Sequence, residues 1–533
     1  MLTATTTPPE PYSDPRRWWV LAACCTVAFA QMAEPHLWMI GFDIPASAFG
    51  AAWRDFRILA NLGVLLFIAF QLVGGVLGDL LGRRRIFLVG AVGTTVFNVL
   101  SLLAPDLSTL TVTRAFVGVM GALALPLSLG IIRLTFMGDE RIRALMIYTF
   151  VTSLGVLAAL LGIPFEYWFG WRSTLVLPIL VGAVGVVLAW RYVPESRARG
   201  GFSRAGAITA AAWTLVFLAI IFGLVTAHAF DAWRNPITVA ALGAGGIGLV
   251  IVVLWTQYAG SNGLFRNAEE VPRHFLLMLL LISAALTFAL VGYALQLYNF
   301  FFNVQQIPAI LAGVALAPIM LGNIFVLRLA SRFVIERPTY VAVGAGLAAM
   351  AAAMLLTSLA RPSLPYLALV PMMMLFGLGF LVASASWSYF FFGALPADLI
   401  GMSCGINRAA SLVGSALTGV LLATIVEVAG TADFKLRLAD LGLTQNQQQL
   451  ALQAVDAALR LGVTTDDMAR RPAALASQGL LSAYRESLSV GISSALFTGA
   501  IVCAAAAALA WFWLRRIHLS ADVAPAGALP AIE

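Results

Sequence analysis

Apolar runs of about 20 residues, the length a helix needs to cross roughly 30 Å of hydrocarbon, follow one another along the chain with short polar connections between them. About fourteen can be placed: 18–45, 58–81, 86–104, 107–136, 144–170, 174–193, 205–229, 236–257, 274–301, 309–327, 340–359, 364–392, 401–428 and 491–514. Backbone in lipid has no water to bond with, so runs of this length predict helices. Composition agrees: 61% hydrophobic and 11% charged residues, with a mean hydropathy of +0.92, exclude a soluble globule. The expected fold class is an all-α integral membrane protein, with the lipid bilayer as its first partner.

The polar connections set an orientation. With the N-terminus in the cytoplasm, that side receives most of the loop arginines, from Arg16 and Arg17 through Arg83, Arg84 and Arg85 to Arg515 and Arg516. The outer loops receive only Arg54, Arg57, Arg172, Arg234 and Arg361, so the positive-inside rule places both termini in the cytoplasm. The same placement accounts for the isoelectric point near 9.5 without a nucleic-acid partner. Residues 1–15 are polar and proline-rich, and no small-residue cleavage pattern follows, so no cleaved signal peptide is expected. Cys24, Cys25, Cys404 and Cys503 fall inside spans and read as small buried hydrophobes, not as a metal or disulfide framework. Lys435 is the only lysine and follows no phosphate-cradling glycine loop, which excludes an ATP-driven pump and leaves no cofactor to expect.

These runs divide the chain into a tail (1–17), a six-helix bundle (18–193), a linker with an extra helix pair (194–257), five helices of a second bundle (258–429), a polar outer loop (430–487), a last span (488–516) and a tail (517–533). Within the loop, 444–461 repeats apolar residues at helical spacing behind Thr444, which predicts a short capped amphipathic helix. Gly75 to Arg85 confines one acid, turn-making glycines and three arginines between two apolar runs, and reads as a transporter hinge. A weaker echo, Leu329 to Pro338 with Arg332, Glu336 and Arg337, follows the corresponding span of the second half and points to two related bundles with a substrate path between them.

Gly75, Leu77, Gly78, Asp79, Gly82, Arg83 and Arg84 resemble the loop signature of the major facilitator superfamily, specifically its fourteen-helix drug:proton antiporter group, with Leu80 in place of the usual basic residue. Leu110 to Gly121, containing Arg114 and Gly118, is similar to the family's helix 4 motif, with Val117 for its glutamine. Leu295 to Pro318 and Gly405 to Gly419 resemble the group's helix 9 to 10 passage and its helix 13. The resemblance implies two six-helix bundles plus two extra spans, and a cytoplasmic gate motif that locks one state by pairing charges between helices 2 and 11. It also implies export of amphipathic or lipophilic small molecules in exchange for protons at a bacterial inner membrane. Two departures qualify this. Of the helix 5 antiporter motif only Gly162 survives, beside Ala158 and Ala159, and the helix 1 motif is replaced by a segment with Glu34 at the family's aspartate.

Charge inside a span is costly and marks function. Counting about 1.5 Å per residue puts Glu34 roughly 24 Å into helix 1 and Arg114 about 10 Å into helix 4 from the opposite face, so their depths agree to within about 5 Å. In the resembled fold both helices line the cavity, which makes Glu34 and Arg114 a proton-coupling pair. Asp43 and His36 complete the proton-coupling candidates, Asp43 expected at a solvated outer end and His36 as a relay, and Glu166 reads as an interfacial anchor. Asn61, Gln296, Asn299 and Asn323 are candidate polar groups of the cavity. Arg408 is expected to be a packing charge on a helix outside the core bundle, and the aromatic clusters at 300–302 and 389–392 are expected in interfacial belts. Three readings stand at this point: proton-coupled exporter, uncoupled exporter or facilitator of a lipid, siderophore or biosynthetic product, and transporter-fold assembly factor. A periplasmic adaptor is a further partner the sequence leaves open.

Overall fold

A computed structural model describes residues 15–40, 62–64, 66–197, 204–229, 235–258, 273–393, 400–441, 444–461 and 478–520, and these are helical almost throughout, with no strand among them. The helices stand where the apolar runs predict them: α1 Arg17–Ile40, α2 Gln71–Leu81, α3 Arg83–Leu102, α4 Leu107–Thr135, α5 Gly138–Phe169, α6 Val176–Tyr192, α7 Arg204–Ala229 and α8 Pro236–Tyr258. They continue with α9 Arg273–Asn299, α10 Pro318–Glu336, α11 Thr339–Ser358, α12 Tyr366–Gly393, α13 Ile400–Asp440 and α14 Gln478–Ser520. Among the described residues eight helices are long and apolar enough to cross a bilayer; counting Leu62–Ala69 and α2, bent by 46°, as one span makes nine.

Helix α1 packs on α4, α5 and α6, α2 on α3 and α4, and α3 on α6, which closes a first bundle. Helices α9 to α14 close a second through α9 on α13 and α14, α10 on α12, and α11 on α12 and α14. The pair α7 and α8 pack on each other, and α7 leans on α2 and α13. Lipid offers no hydrophobic drive between helices, so close approach through small residues does the work. A Cβ at Gly90 of α3 would come within 2.7 Å of the α4 backbone at Met120 and Ala124, and one at Gly346 of α11 within 2.6 Å of the α12 backbone at Gly379 and Ala383.

The bundles meet where α2 crosses α13 and α5 crosses α10 and α12. A Cβ at Gly405 would stand 2.8 Å from the Leu72 Cα, so the α2 and α13 backbones touch there. Ile142 and Met146 of α5 are buried with Ala330 and Val334 of α10 and with Leu381, Val382 and Ala385 of α12. Helices α13 and α14 are therefore central to the second bundle, contrary to the expectation that they lie outside the core. The belt expectation is corrected at three of the aromatics: Phe300, Phe301 and Phe391 are 4%, 0% and 1% exposed, in the core, whereas Phe302, Tyr389 and Phe390 are half-buried. Phe301, within a π-helical turn at Phe300–Val304, meets Tyr366 edge-on, and Phe391 lies against Trp387.

The ends of the polar segment 430–487 are helical. Helices α13 and α14 run into it and are braced there by Arg437, which pairs with Asp433 and Glu486, and by Ser487, which donates to Asp433. The predicted amphipathic helix spans Gln445–Leu461, and Thr444 and Gln447 cap it reciprocally, the Thr444 N–H donating to the Gln447 side chain at 3.1 Å.

Candidate functional site

Glu34 is placed by α1 and Arg114 by α4, and the two form a buried ion pair, 6% and 4% exposed. Glycines bring the surrounding helices together. A Cβ at Gly63 would lie 2.6 Å from the Arg114 carbonyl oxygen, and one at Gly118 would overlap the Gly63 carbonyl, so the 62–69 helix rides directly on α4 beside the arginine. A second Arg114 contact comes from α3, whose Asn98 side chain accepts from the guanidinium at 3.3 Å. One turn along, Ser101 of α3 donates to Thr113 of α4 at 2.9 Å. Removing either member of such a pair leaves a charge stranded in a low dielectric, which is why ion pairs at this depth are rare.

Gln31, one turn before Glu34 on the same face, is 4% exposed, and both polar atoms of its amide lack a hydrogen-bond partner among the described residues. With Glu34, Gly63, Thr94 and Arg114 it lines a cavity of about 10 Å³, roughly the room of one water. No organic cargo fits that space, so in this conformation the site handles at most a water and a proton.

The gate motif is built differently. Gly82 ends α2 and starts α3 with φ 116°, a backbone angle that disfavours any side chain, and a Cβ there would meet the Glu195 carboxylate at 2.7 Å. Asp79 and Arg83, both buried, pair within the turn at 2.7 Å. The turn is docked on the end of α6: the Arg83 N–H donates to Ser196 O at 2.9 Å, the Arg84 guanidinium to Trp190 O at 2.6 Å, and the Arg84 N–H to Glu195 at 3.2 Å. Gly75 and Gly78 are buried on the same helix. Across the bundle interface the helix facing this motif is α13, not the eleventh helix of this chain: Asp79, Arg83, Arg133 and Arg408 all act electrostatically on Cys404 near the start of α13. Discounting the pair α7 and α8 makes α13 the eleventh, which reconciles the two numberings.

Arg408 also departs from its expected role. From α13 it acts electrostatically on Tyr148 of α5, whose hydroxyl is 2.6 Å from Ser128 of α4, so it faces the first bundle. Of the other candidates, Gln296 on α9 is buried with its Oε1 unpartnered among the described residues and Asn299 is half-buried, yet neither lines the Glu34 cavity. His36, Gly162, Glu166 and Asn323 lie on α1, α5, α5 and α10, with side chains outside the described residues, and Asp43 and Asn61 lie outside them altogether.

Sequence reasoning missed Asn98 and Gln31. Each is an amide alone in an apolar run, and Gln31 stands three residues from a nominated glutamate; that spacing was the available signal.

The Major Facilitator Superfamily model matches residues 19–419. The puromycin resistance protein pur8 of Streptomyces alboniger is 29% identical over 444 residues, covering 80% of this chain and 85% of that one. The multidrug efflux pump LfrA of Mycolicibacterium smegmatis is 26% identical over 535 residues, covering 95% and 98%. Among solved structures, the human organic anion transporter MFSD10 (TETRAN) superposes with a TM-score of 0.59 at 16% identity, covering 93% of this chain and 100% of that one, a likeness of fold.

Proposed function

Because this chain belongs to the Major Facilitator Superfamily, a multi-pass membrane transporter family and not an enzyme family, we propose that it is a secondary active exporter of amphipathic or lipophilic organic compounds, driven by proton exchange. Alternating access would come from rocking α1–α6 against α9–α14 about the α2/α13 and α5/α10 contacts. The cargo class is supported by relatives named for puromycin resistance and multidrug efflux. We place the chain in a bacterial inner membrane with fourteen spans and both termini cytoplasmic, in keeping with the arginine distribution.

The buried Glu34–Arg114 pair carries the reading. A carboxylate that loses its guanidinium in a dry interior takes a proton, and one that regains it gives the proton up. A shift of α1 against α4 inside the first bundle, accompanying the rocking, would load Glu34, and its reversal would unload it. Gln31 and one water in the adjoining cavity supply the hydrogen bonds for that exchange. Asp79, Arg83 and Arg84 hold the gate turn on α6, and Arg408 faces Tyr148 across the bundle interface.

The test uses full-length protein in liposomes, with internal pH followed while lipophilic cations and amphiphiles are added, for wild type and Glu34→Gln. Cargo-triggered proton movement lost in the variant is the expected outcome; coupling fully retained in the variant would sink the assignment. A second reading, uncoupled export or facilitation, is favoured by the reduction of the helix 5 motif to Gly162. Cargo flux indifferent to an imposed pH gradient would select it.

A further inference from the structure

The second span is broken near the middle of its run. Leu62–Ala69 and α2 meet at 46°, and α2 starts at Gln71, about 15 Å along the helix from its other end at Leu81. That is half of a hydrocarbon core of roughly 30 Å. Phe70 stands in the N-cap position, and no side chain caps the first turn. A helix start at this depth is a positive dipole end with N–H groups to satisfy. The Gln71 side chain lies at the same start, fully buried, and both its Oε1 and its Nε2 lack a hydrogen-bond partner among the described residues. An amide without partners in a dry interior is costly, which calls for a state of the protein that supplies them.

The surroundings of Gln71 indicate where a partner enters. Gly74 and Gly78 put one face of α2 on Ala122 and Leu127 of α4, and Leu72 puts another on Gly405 of α13. At about 100° per residue, Gln71 projects between those faces, at the seam of the two bundles. A Cβ at Gly405 would stand 3.0 Å from the Gln71 carbonyl oxygen, so the seam is shut in this conformation. Arg408, one turn further on the same face of α13, brings a fixed positive charge to the seam, with its Nε buried and without a hydrogen-bond partner among the described residues. Helix α13 leaves the gate turn as α2 approaches it, so that extra turn carries Arg408 toward the start of α2.

We infer that the start of α2 is a cargo subsite for the carboxylate of an amphipathic organic acid, reached when α13 moves off α2. The Gln71 amide donates to the carboxylate, the first-turn N–H groups face it, and Arg408 approaches from the other bundle. Phe67, on the far side of the bend, lines the Glu34 cavity, so the two sites adjoin without coinciding. The assignment rests on the export reading and narrows its cargo.

The experiment follows the fluorescence of dansyl-labelled undecanoate added to full-length protein in neutral detergent at about pH 8, where the carboxylate is ionised. The matching undecanamide is the neutral arm. Saturable binding of the carboxylate, about tenfold or more tighter than that of the amide, is expected. Gln71→Leu should abolish this preference, whereas Asn303→Leu, at a buried amide of the outer end of the second bundle, should keep it. Equal affinity for the two probes in the wild type overturns the assignment. So does a preference that survives in Gln71→Leu, including the case in which both probes weaken alike, because Gln71 would then act on the packing of the seam and not on the carboxylate. If Gln71→Leu does not fold, the same two arms are read in Gln71→Met, whose unbranched side chain keeps the volume. Binding is read without flux or a pH gradient, so a missing carboxylate preference leaves proton exchange standing, and missing proton exchange leaves the subsite standing.

Discussion

The two bundles share one packing scheme and differ in what they bury. A glycine of the fourth helix overlaps a carbonyl of the second in each, Gly118 on Gly63 and Gly377 on Ile319. A glycine of the fifth meets the first, Gly155 on Phe29 and Gly414 on Ala284, and Gly90 and Gly346 repeat the third-to-fourth contact. Hydrogen bonds keep the register: Ser101 with Thr113 answers Thr357 with Met372, and Ser128 with Tyr148 answers Trp387, which reaches Asn407 through Ser283. Carried along the helices, that register sets Arg114 against Met373, Glu34 against Ala289 and Asn98 against Met354. All three counterparts are fully buried and apolar. The same packing scheme thus surrounds an ion pair in one bundle and methionine and alanine in the other, in keeping with the coupling role proposed for the pair.

Breaking one charge tests this most severely. Arg114→Met leaves Glu34 buried without its partner and should cost about 3–5 kcal/mol of stability. Glu34→Ala/Arg114→Met, which copies the second bundle, should recover most of that loss in thermal unfolding while abolishing cargo-driven proton movement. A double variant as unstable as the single one would mean that the pair belongs to the scaffold.

The shared scheme predicts shared sensitivity. Gly118→Ala and Gly377→Ala each force a methyl into a backbone carbonyl, and each should cost about 3 kcal/mol by the same measurement. A large effect in one bundle and none in the other would break the equivalence. The gate turn separates the bundles again. Gly82 has φ 116°, whereas Pro338, its counterpart by register, has φ −54°. Gly82→Ala should cost about 1–2 kcal/mol through strain and release the turn from Glu195, whereas Pro338→Ala should be close to neutral.

Several features were legible because lipid makes polarity conspicuous. Helix positions followed from run length, and Glu34 and Arg114 from the cost of charge combined with a count of depth. The repeat was harder to read, since it is written in glycines that meet carbonyls, and contacts of that kind leave no common residue pattern: Gly63 answers Ile319 and Ser101 answers Thr357. The echo noticed around Arg332 and Glu336 lay near the right turn but off the register that sets Asp79 against Ile335. Phe301 and Phe391 were misplaced because an aromatic at a span end looks the same whether it faces lipid or core. The ends of 430–487 read as loop because a helix leaving the membrane turns polar while its backbone continues.

The smallest predicted difference is at the fourth helices' starts, where the register sets Asp106 against Pro365. Asp106 caps α4, accepting from the Thr109 N–H at 2.8 Å and its hydroxyl at 3.0 Å, and these bonds hold the carboxyl below the usual aspartate range. A folded pKa below the unfolded one means stability that is present above the unfolded value and lost as pH falls through the folded one. Helix α12 starts after a proline, with no titrating cap. Hydrogen exchange between about pH 5 and about pH 3, corrected for the intrinsic rate, should therefore show the first turn of α4 loosening while that of α12 holds. Asp106→Asn, which keeps a capping oxygen without the charge, should flatten the pH response of α4. Equal loosening of both helices in the wild type would assign the acid sensitivity to the bundles as a whole and remove the cap from the comparison.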